Sequence, residues 1–354
     1  MQRLFLMLCG LAGFIIGANS ANAQQKIESL FYYIDDPDSY VSLQKNIKHI
    51  SIIAPAMYNV DEDGVVWGEV DPRVLKLAKQ HQVEVMPLIH NPGFNQEMLH
   101  KLLANETARQ RTIASLLEEC QKYGYRGIQF DFENLGINDK EAFTQFFAET
   151  AKVLHAGGFQ LSIAVVHRPE KYPGPTKYFK WLYKNWRAGY DLKALAALGD
   201  FISVMTYSQH TRRTPPGPNA GIPWVKKNIE FFLAEVPPEK LSLGIPVQSQ
   251  HWFTEQDEQH VANARSWSKG LSHAEALSLA ERFGAKITWL DEQKVPFTFF
   301  ENGGLFEYIF LENALSFQHK LDLVKLHKLR GFSVWVIGQE DPEVWKILEK
   351  VDVR

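Results

Sequence analysis

Gln129, Asp131 and Glu133 alternate with Ile128, Phe130 and Phe132 in the run RGIQFDFEN at 126–134. Burying a carboxylate costs free energy unless it is paired or hydrogen-bonded, so two acids inside an apolar run need a reason. On a strand, alternation puts the three polar side chains on one face and the three apolar ones on the other. The Cβ atoms of Asp131 and Glu133 would then stand roughly 7 Å apart, two strand rises of about 3.3 Å. There an ionised Asp131 raises the proton affinity of Glu133. A carboxyl still protonated near neutral pH is what a general acid requires. The bland alternative is a pair of core acids matched to Arg or Lys.

The elements that would position these residues are short β-rich runs separated by helical patterns. The runs fall at 29–35, 49–60, 83–91, 125–134, 160–168, 201–209, 241–252 and 331–338. Their near-continuous apolar character fits strands buried on both faces. Eight such strands with helical crossovers predict an α/β fold, a (β/α)8 TIM barrel. An open doubly wound sheet is disfavoured, since no phosphate-binding glycine fingerprint follows the first strand. In a barrel, Gln129, Asp131 and Glu133 point into the lumen near the C-terminal end of strand four, where barrel enzymes place their chemistry. The gap between strands seven and eight is too long for one crossover. It predicts a small α+β insertion at 253–312 on the rim, with KITWL and FEYIFL as strands and a turn at Asn302-Gly303-Gly304. The barrel itself would span 24–252 and 313–354.

The chain has 354 residues and a formal net charge of −3, which points to neither nucleic acid nor an anionic membrane as partner. Arg3 precedes the apolar run LFLMLCGLAGFIIG and then Ala21-Asn22-Ala23, a small-x-small cleavage pattern. Residues 1–23 therefore read as a signal peptide, with the mature protein secreted or periplasmic and free of the membrane. Only Cys120 would remain after cleavage, so no internal disulfide is expected. No cofactor is expected, and the chain is expected to be a monomer.

Two acids on one strand approach a sugar from one side, whereas the usual glycosidase pair flanks the scissile bond. A glycosidase built this way would take its attacking group from elsewhere, and a 2-acetamido oxygen on the substrate would serve. GIQFDFEN resembles the D-G-x-x-D-x-D-x-E signature of glycoside hydrolase family 18, the chitinase-like barrels. Asp131 and Glu133 match its last two positions, Gln129 replaces the preceding Asp, and Arg126 stands where an Asp is common. VMTYSQ resembles the family's M-x-Y-D stretch, giving Met205 and Tyr207, with Ser208 in place of the acid. VWVIGQEDPEVW resembles the last-strand motif and gives Trp335. Taken with IAPAMYNVDEDGVVW, VMPLIHNPGF and LGIPVQSQHW, the chain is most similar to the subgroup of spore-cortex-lytic and cell-wall N-acetylglucosaminidases.

The resemblance implies a retaining, substrate-assisted hydrolysis of β-1,4-linked N-acetylglucosamine polymers, peptidoglycan before chitin. Glu133 would act as general acid and then base, Asp131 would orient the acetamido group, Tyr207 would help place it, and Trp335 would stack under the sugar. Gln129, Met205, Asn91, Ser208, Tyr33 and Trp252 complete the candidate sugar contacts, and Trp67 and Trp224 are candidates for the cleft wall. Two other readings remain. Histidines His90, His167, His210 and His251, at or beyond the ends of four strands, could hold zinc. Alternatively, the substitutions Gln129 and Ser208 could mark a barrel that binds carbohydrate, lectin-like, with weak catalysis.

Overall fold

The computed structural model describes residues 26–171, 173–211, 214–255 and 265–353. The apolar run read as a signal lies outside them. Eight parallel strands close a barrel: Glu28–Tyr33, Ile52–Val60, Leu88–His90, Gly127–Asp131, Gln160–Val166, Phe201–Met205, Leu241–Pro246 and Gly331–Trp335, strands one to eight below. Closure is made by strand one, which pairs with strand two on one side and strand eight on the other. Strands one, six and seven are buried along their whole length, as their near-continuous apolar runs predict. The run 83–91 is split into Glu84–Val85 and Leu88–His90, with Pro87, which has no N–H for a ladder, between them.

The route into strand four is fixed by backbone chemistry. Helix Glu106–Tyr123 is capped by the Asn105 side chain and stops at Gly124, whose φ of 66° is left-handed. Gly127 then lets strands four and five approach, since a Cβ there would lie 1.9 Å from the Gln160 carbonyl oxygen. On the outward face, Phe130 and Phe132 pack on Phe143, Phe146 and Phe147 of helix Lys140–Ala156, with ring centroids of Phe130 and Phe146 5.3 Å apart. Each buried ring contributes about 1.5–3 kcal/mol. Those rings pin the parity of strand four and so aim the acids inward.

Inside the barrel, Leu30, Tyr32, Ile52, Ala54, Met86, Leu88, Phe201 and Val336 form an apolar cluster. A hydroxyl relay crosses it: Ser203 to Ser333 at 2.9 Å and Ser333 to Ser242 at 2.6 Å. At the N-terminal end, Glu28 takes two bonds from Arg330 and an ion pair from Arg126, which also pairs with Glu84. Arg126 is thus a strut at the end away from the acids.

The run read as strand seven, 241–252, is two elements. Strand seven ends at Pro246, and Ser249–Glu255 leaves the barrel to pair antiparallel with Arg265–Leu271 and Leu305–Phe310. The insertion is a five-stranded antiparallel sheet, completed by Thr288–Leu290 and Val295–Asn302, with helix His273–Arg282. Its first strand begins inside the stretch assigned to the barrel. Val295–Asn302 and Leu305–Phe310 turn on Gly303 and Gly304, both at positive φ, 61° and 82°. The chain returns to the barrel through a buried pair, Lys320 Nζ to Glu312 Oε2 at 2.7 Å. Among the described residues no helix is long and apolar enough to cross a membrane.

Candidate active site

Strand four stops at Asp131, so the backbone of 132–134 has no ladder partner and must be satisfied otherwise. Side chains take over. The Tyr190 hydroxyl donates to the Phe132 carbonyl at 2.7 Å. Asn91, fully buried, brackets Glu133: its Oδ1 accepts from the Glu133 N–H at 3.0 Å and its Nδ2 donates to the Glu133 carbonyl at 3.0 Å. Gln96 donates to the Asn134 carbonyl at 2.8 Å, and Asn134, at φ 55°, donates to the Phe94 carbonyl at 3.0 Å. The Glu133 backbone is thereby locked while its side chain stays on the inward face.

That side chain lines a cavity of about 430 Å³ at the C-terminal end of the barrel, shared with Met205, Tyr207 and Ser208. Burial first, and the neighbouring Asp131 second, hold the Glu133 carboxyl well above the usual carboxylate range. Burial also pushes Asp131 up to about 7. Asp131 Oδ1 and Gln129 Oε1 are both occluded without a hydrogen-bond partner among the described residues, so the Asp131 oxygen has no donor to offset the cost of burying a charge. The Tyr207 hydroxyl is raised by burial and then by Tyr32, Asp131 and Glu133, and is therefore a proton donor at ordinary pH. Trp335 stacks on Tyr207 at 6.3 Å and tilts against Tyr32 at 5.5 Å.

The remaining sequence candidates divide. Gln129 is fully buried beneath Asp131 and donates to Ser162 at 3.0 Å and Ser203 at 3.3 Å, as part of the lumen relay rather than the cavity wall. Asn91 clamps the acid's backbone and does not line the cavity. Tyr33 points outward, into the cluster under the helices with Phe31 and Leu43, because strand parity gives the lumen to Leu30 and Tyr32. Trp252 lies buried on the insertion strand, its Nε1 donating to the Gly217 carbonyl at 3.0 Å. Its strand has left the barrel, so it backs a loop instead of facing sugar. Trp67 is 45% exposed on Val66–Trp67. Ser208 sits at φ 58°, its N–H held by Asn219 Oδ1 at 2.7 Å, and Asn219 also donates to the Gln248 carbonyl at 3.2 Å. The start of the insertion thus braces the loop that braces strand six. No insertion residue lines the cavity among the described residues.

The four histidines sit in separate settings. His251 lies 2.6 Å from Glu307 within the insertion sheet, His210 packs by the Pro215 carbonyl at 3.1 Å, and His90 is registered beside Asp131. Nε2 of His167 accepts from Arg187 at 2.8 Å, and the Met205 and Tyr207 carbonyls hydrogen-bond the ring; burial pushes it down to about 3, so it is neutral. Among the described residues no group of three or more His, Cys, Asp and Glu comes together to hold a metal ion, and the zinc reading loses its ligand set.

The sequence reading missed the outer wall. Tyr178, Phe179, Trp181 and Trp186, with Arg187, line the cavity from helix Lys177–Leu182 and the turn Tyr183–Arg187 that follows it. The available signal was five aromatics within 178–186, soon after the C-terminal end of strand five, where barrel loops carry function.

A closed parallel barrel in which Glu133, just past strand four, opens on an aromatic-walled cavity defines a TIM-barrel glycoside hydrolase. The chain belongs to the glycosyl hydrolases family 18, whose sequence profile matches residues 21–340. It is similar to the cortical fragment-lytic enzyme of Bacillus subtilis (strain 168), 28% identical over 261 residues that cover 73% of this chain and 57% of that protein. The spore cortex-lytic enzyme SleL of Bacillus megaterium QM B1551 superposes with a TM-score of 0.81 at 24% identity, covering 94% of this chain and 75% of that one. A chitinase of Chromobacterium violaceum ATCC 12472 superposes at 0.80 with 23% identity, covering 92% of this chain and 98% of that one. At those identities the two structures speak for the fold.

Proposed function

We propose that the chain hydrolyses β-1,4-linked N-acetylglucosamine polymers, peptidoglycan glycan first and chitin oligomers second, with retention of configuration. The observation that carries this is a backbone-clamped Glu133 whose carboxyl, held neutral by burial and by Asp131, opens on a cavity large enough for a sugar. Glu133 protonates the glycosidic oxygen and the bond to the leaving sugar breaks. The substrate's acetamido oxygen closes on the anomeric carbon, Asp131 holds the acetamido N–H, and Tyr207 donates to the acetamido oxygen. The Glu133 carboxylate then takes a proton from water as it opens the oxazolinium, which restores the acid. Trp335, stacked on Tyr207, supports the sugar face. We assign the N-terminal run to export, which places the enzyme outside the cytoplasm, acting as a monomer on cell-wall glycan.

The test is mass spectrometry of products from purified sacculi and from chitin oligosaccharides. Glu133→Gln should lower turnover about 10²- to 10⁴-fold. A de-N-acetylated glycan should resist cleavage, because it lacks the attacking oxygen. Binding without turnover by the wild type would sink the hydrolase mechanism in favour of a carbohydrate-binding barrel.

A further inference from the structure

Arg187 sits where the catalytic cavity meets an adjoining one of about 350 Å³, and its side chain lines both. A guanidinium carries five N–H donors. One contact accounts for it here, the bond from Nη2 to the neutral His167 ring at 2.8 Å. Among the described residues no carboxylate lies within ion-pair distance of Arg187; the Tyr178 hydroxyl and then Glu170, on the wall of the adjoining cavity, act on it only electrostatically. Burial pushes Arg187 down to about 10, so it stays charged at neutral pH. Partly buried cations are normally paired, and this one is left facing open space.

The surroundings have the same sign. Between Arg168 and Arg187 the chain carries Arg168, Lys171, Lys177, Lys180, Lys184 and Arg187 against the single acid Glu170, in a protein whose net charge is −3. Among the described residues Arg168 has no ion pair either, its guanidinium bonding the Tyr183 hydroxyl at 3.0 Å and the Lys171 carbonyl at 3.3 Å and lying over the faces of Tyr183 and Phe231. The same segment supplies Tyr178, Phe179, Trp181 and Trp186 to the cavity. Aromatic faces with a convergent cation suit a sugar that bears a negative charge.

We propose that Arg187 is the recognition site for a carboxylate carried by the glycan, seated at the mouth of the adjoining cavity while the pyranose ring lies against the aromatic wall. The carboxylate is either the lactyl ether of N-acetylmuramic acid or an acidic group of an attached stem peptide. A neutral N-acetylglucosamine polymer leaves Arg187 unmatched. The inference rests on the reading of the cleft as a site for N-acetylglucosamine glycans and names which of those glycans the cleft is built for.

The experiment measures binding, so that it does not depend on turnover. Calorimetry on Glu133→Gln protein compares a tetrasaccharide of alternating N-acetylglucosamine and N-acetylmuramic acid, its carboxyl-reduced counterpart, the same glycan carrying peptide stems, and chitotetraose. Arg187→Gln keeps an N–H for His167 and removes the charge, and Arg187→Lys keeps the charge. The anionic glycan should bind more tightly than the reduced one, and Arg187→Gln should erase that advantage, a loss of about 10- to 150-fold for a charge-assisted bond. Chitotetraose affinity should hold, and Arg187→Lys should recover part of the difference. Dependence seen only with stems assigns the carboxylate to the peptide. Equal affinity for charged and reduced glycans, or an equal loss on chitotetraose in Arg187→Gln, overturns the proposal and leaves Arg187 as a support for His167. If none of the four glycans binds, the proposed function falls with it; if chitotetraose alone binds, the function stands and the carboxylate site does not.

Discussion

Asn91→Ala should disable the acid without touching the substrate. Asn91 is fully buried and makes two 3.0 Å bonds to the Glu133 backbone, one in each direction. Truncation leaves a buried N–H and a buried C=O unpaired, each worth about 1–3 kcal/mol. The vacated space is near the size of a water, which could rejoin the two groups in part, so a loss of about 2–4 kcal/mol is expected. A domain with an ordinary 5–15 kcal/mol of stability, roughly, stays folded through that loss. The chemistry should suffer more. Residues 132–134 lie beyond the sheet ladder, so the carboxyl loses its fixed origin, and a drift of about 1 Å costs roughly 100-fold. The expected pattern is kcat down about 100-fold with KM within about threefold of wild type, since Asn91 does not line the cavity. Urea unfolding supplies the stability change, and steady-state kinetics on an N-acetylglucosamine tetrasaccharide supplies the split. If stability drops while kcat stays within about threefold of wild type, the clamp serves the fold alone and the reasoning fails.

Asp131→Asn should stabilise the protein at alkaline pH. The folded-state Asp131 is raised from 3.8 to about 7, so its favourable contribution is present below about pH 4 and is lost as pH rises through 7. The variant's Tm advantage over wild type should therefore grow between pH 4 and 7, and a difference flat with pH would count against a buried, unstabilised Asp131. In activity, kcat/KM should fall on the alkaline side as the Asp131–Glu133 pair loses its last proton, and Asp131→Asn should move that limb to lower pH because Glu133 loses its charged neighbour. Lys320→Met strands Glu312 in the core and should cost about 3–5 kcal/mol by urea unfolding, with Lys320→Met/Glu312→Gln recovering much of it; equal stability of the single and double variants would refute this. Trp181→Ala should raise KM about tenfold, for one apolar contact of roughly 1.4 kcal/mol, and leave kcat within about threefold.

What the residues revealed beforehand depended on whether two faces of an element differ. Strand four contrasts acids and an amide with isoleucine and phenylalanine, so its parity could be read directly, and the aromatic layer beneath it enforces that parity. Past Glu28, strand one is apolar or hydroxylic on both faces, so nothing local separates Tyr32 from Tyr33, and reading Tyr33 as a sugar contact puts an outward residue in the lumen. Asn91 is legible as a site residue but not as a clamp: it holds the Glu133 backbone instead of touching sugar. That Glu133 lies past the ladder, and so needs a side-chain clamp, depends on where strand pairing ends. Pro246 ends one strand and Ser249 starts another with almost no linker, which looks in sequence like one long strand and carries Trp252 out of the barrel. The aromatic and basic stretch 177–187 lies in a crossover, where its lysines give it the look of a solvated helix.

The placement of Glu133 also explains why its pKa can be shifted so far without the strand failing. An acid earlier in the ladder would share the full burial of residues 127–130 and would draw on the same packing that holds the barrel. Two residues beyond the last pair, the carboxyl is carried by a peptide whose polar groups are satisfied by Asn91, Gln96 and Tyr190, side chains from three other segments. Charge on the acid can then change during a reaction cycle while the hydrogen bonds that locate it, all to backbone atoms, stay the same. Below it, Asp131 and Gln129 keep unsatisfied acceptors inside the lumen, a cost borne by the rest of the barrel. Replacing Asp131 by a neutral, well-packed residue would make a more stable barrel and remove the charge that adds to burial in keeping Glu133 protonated.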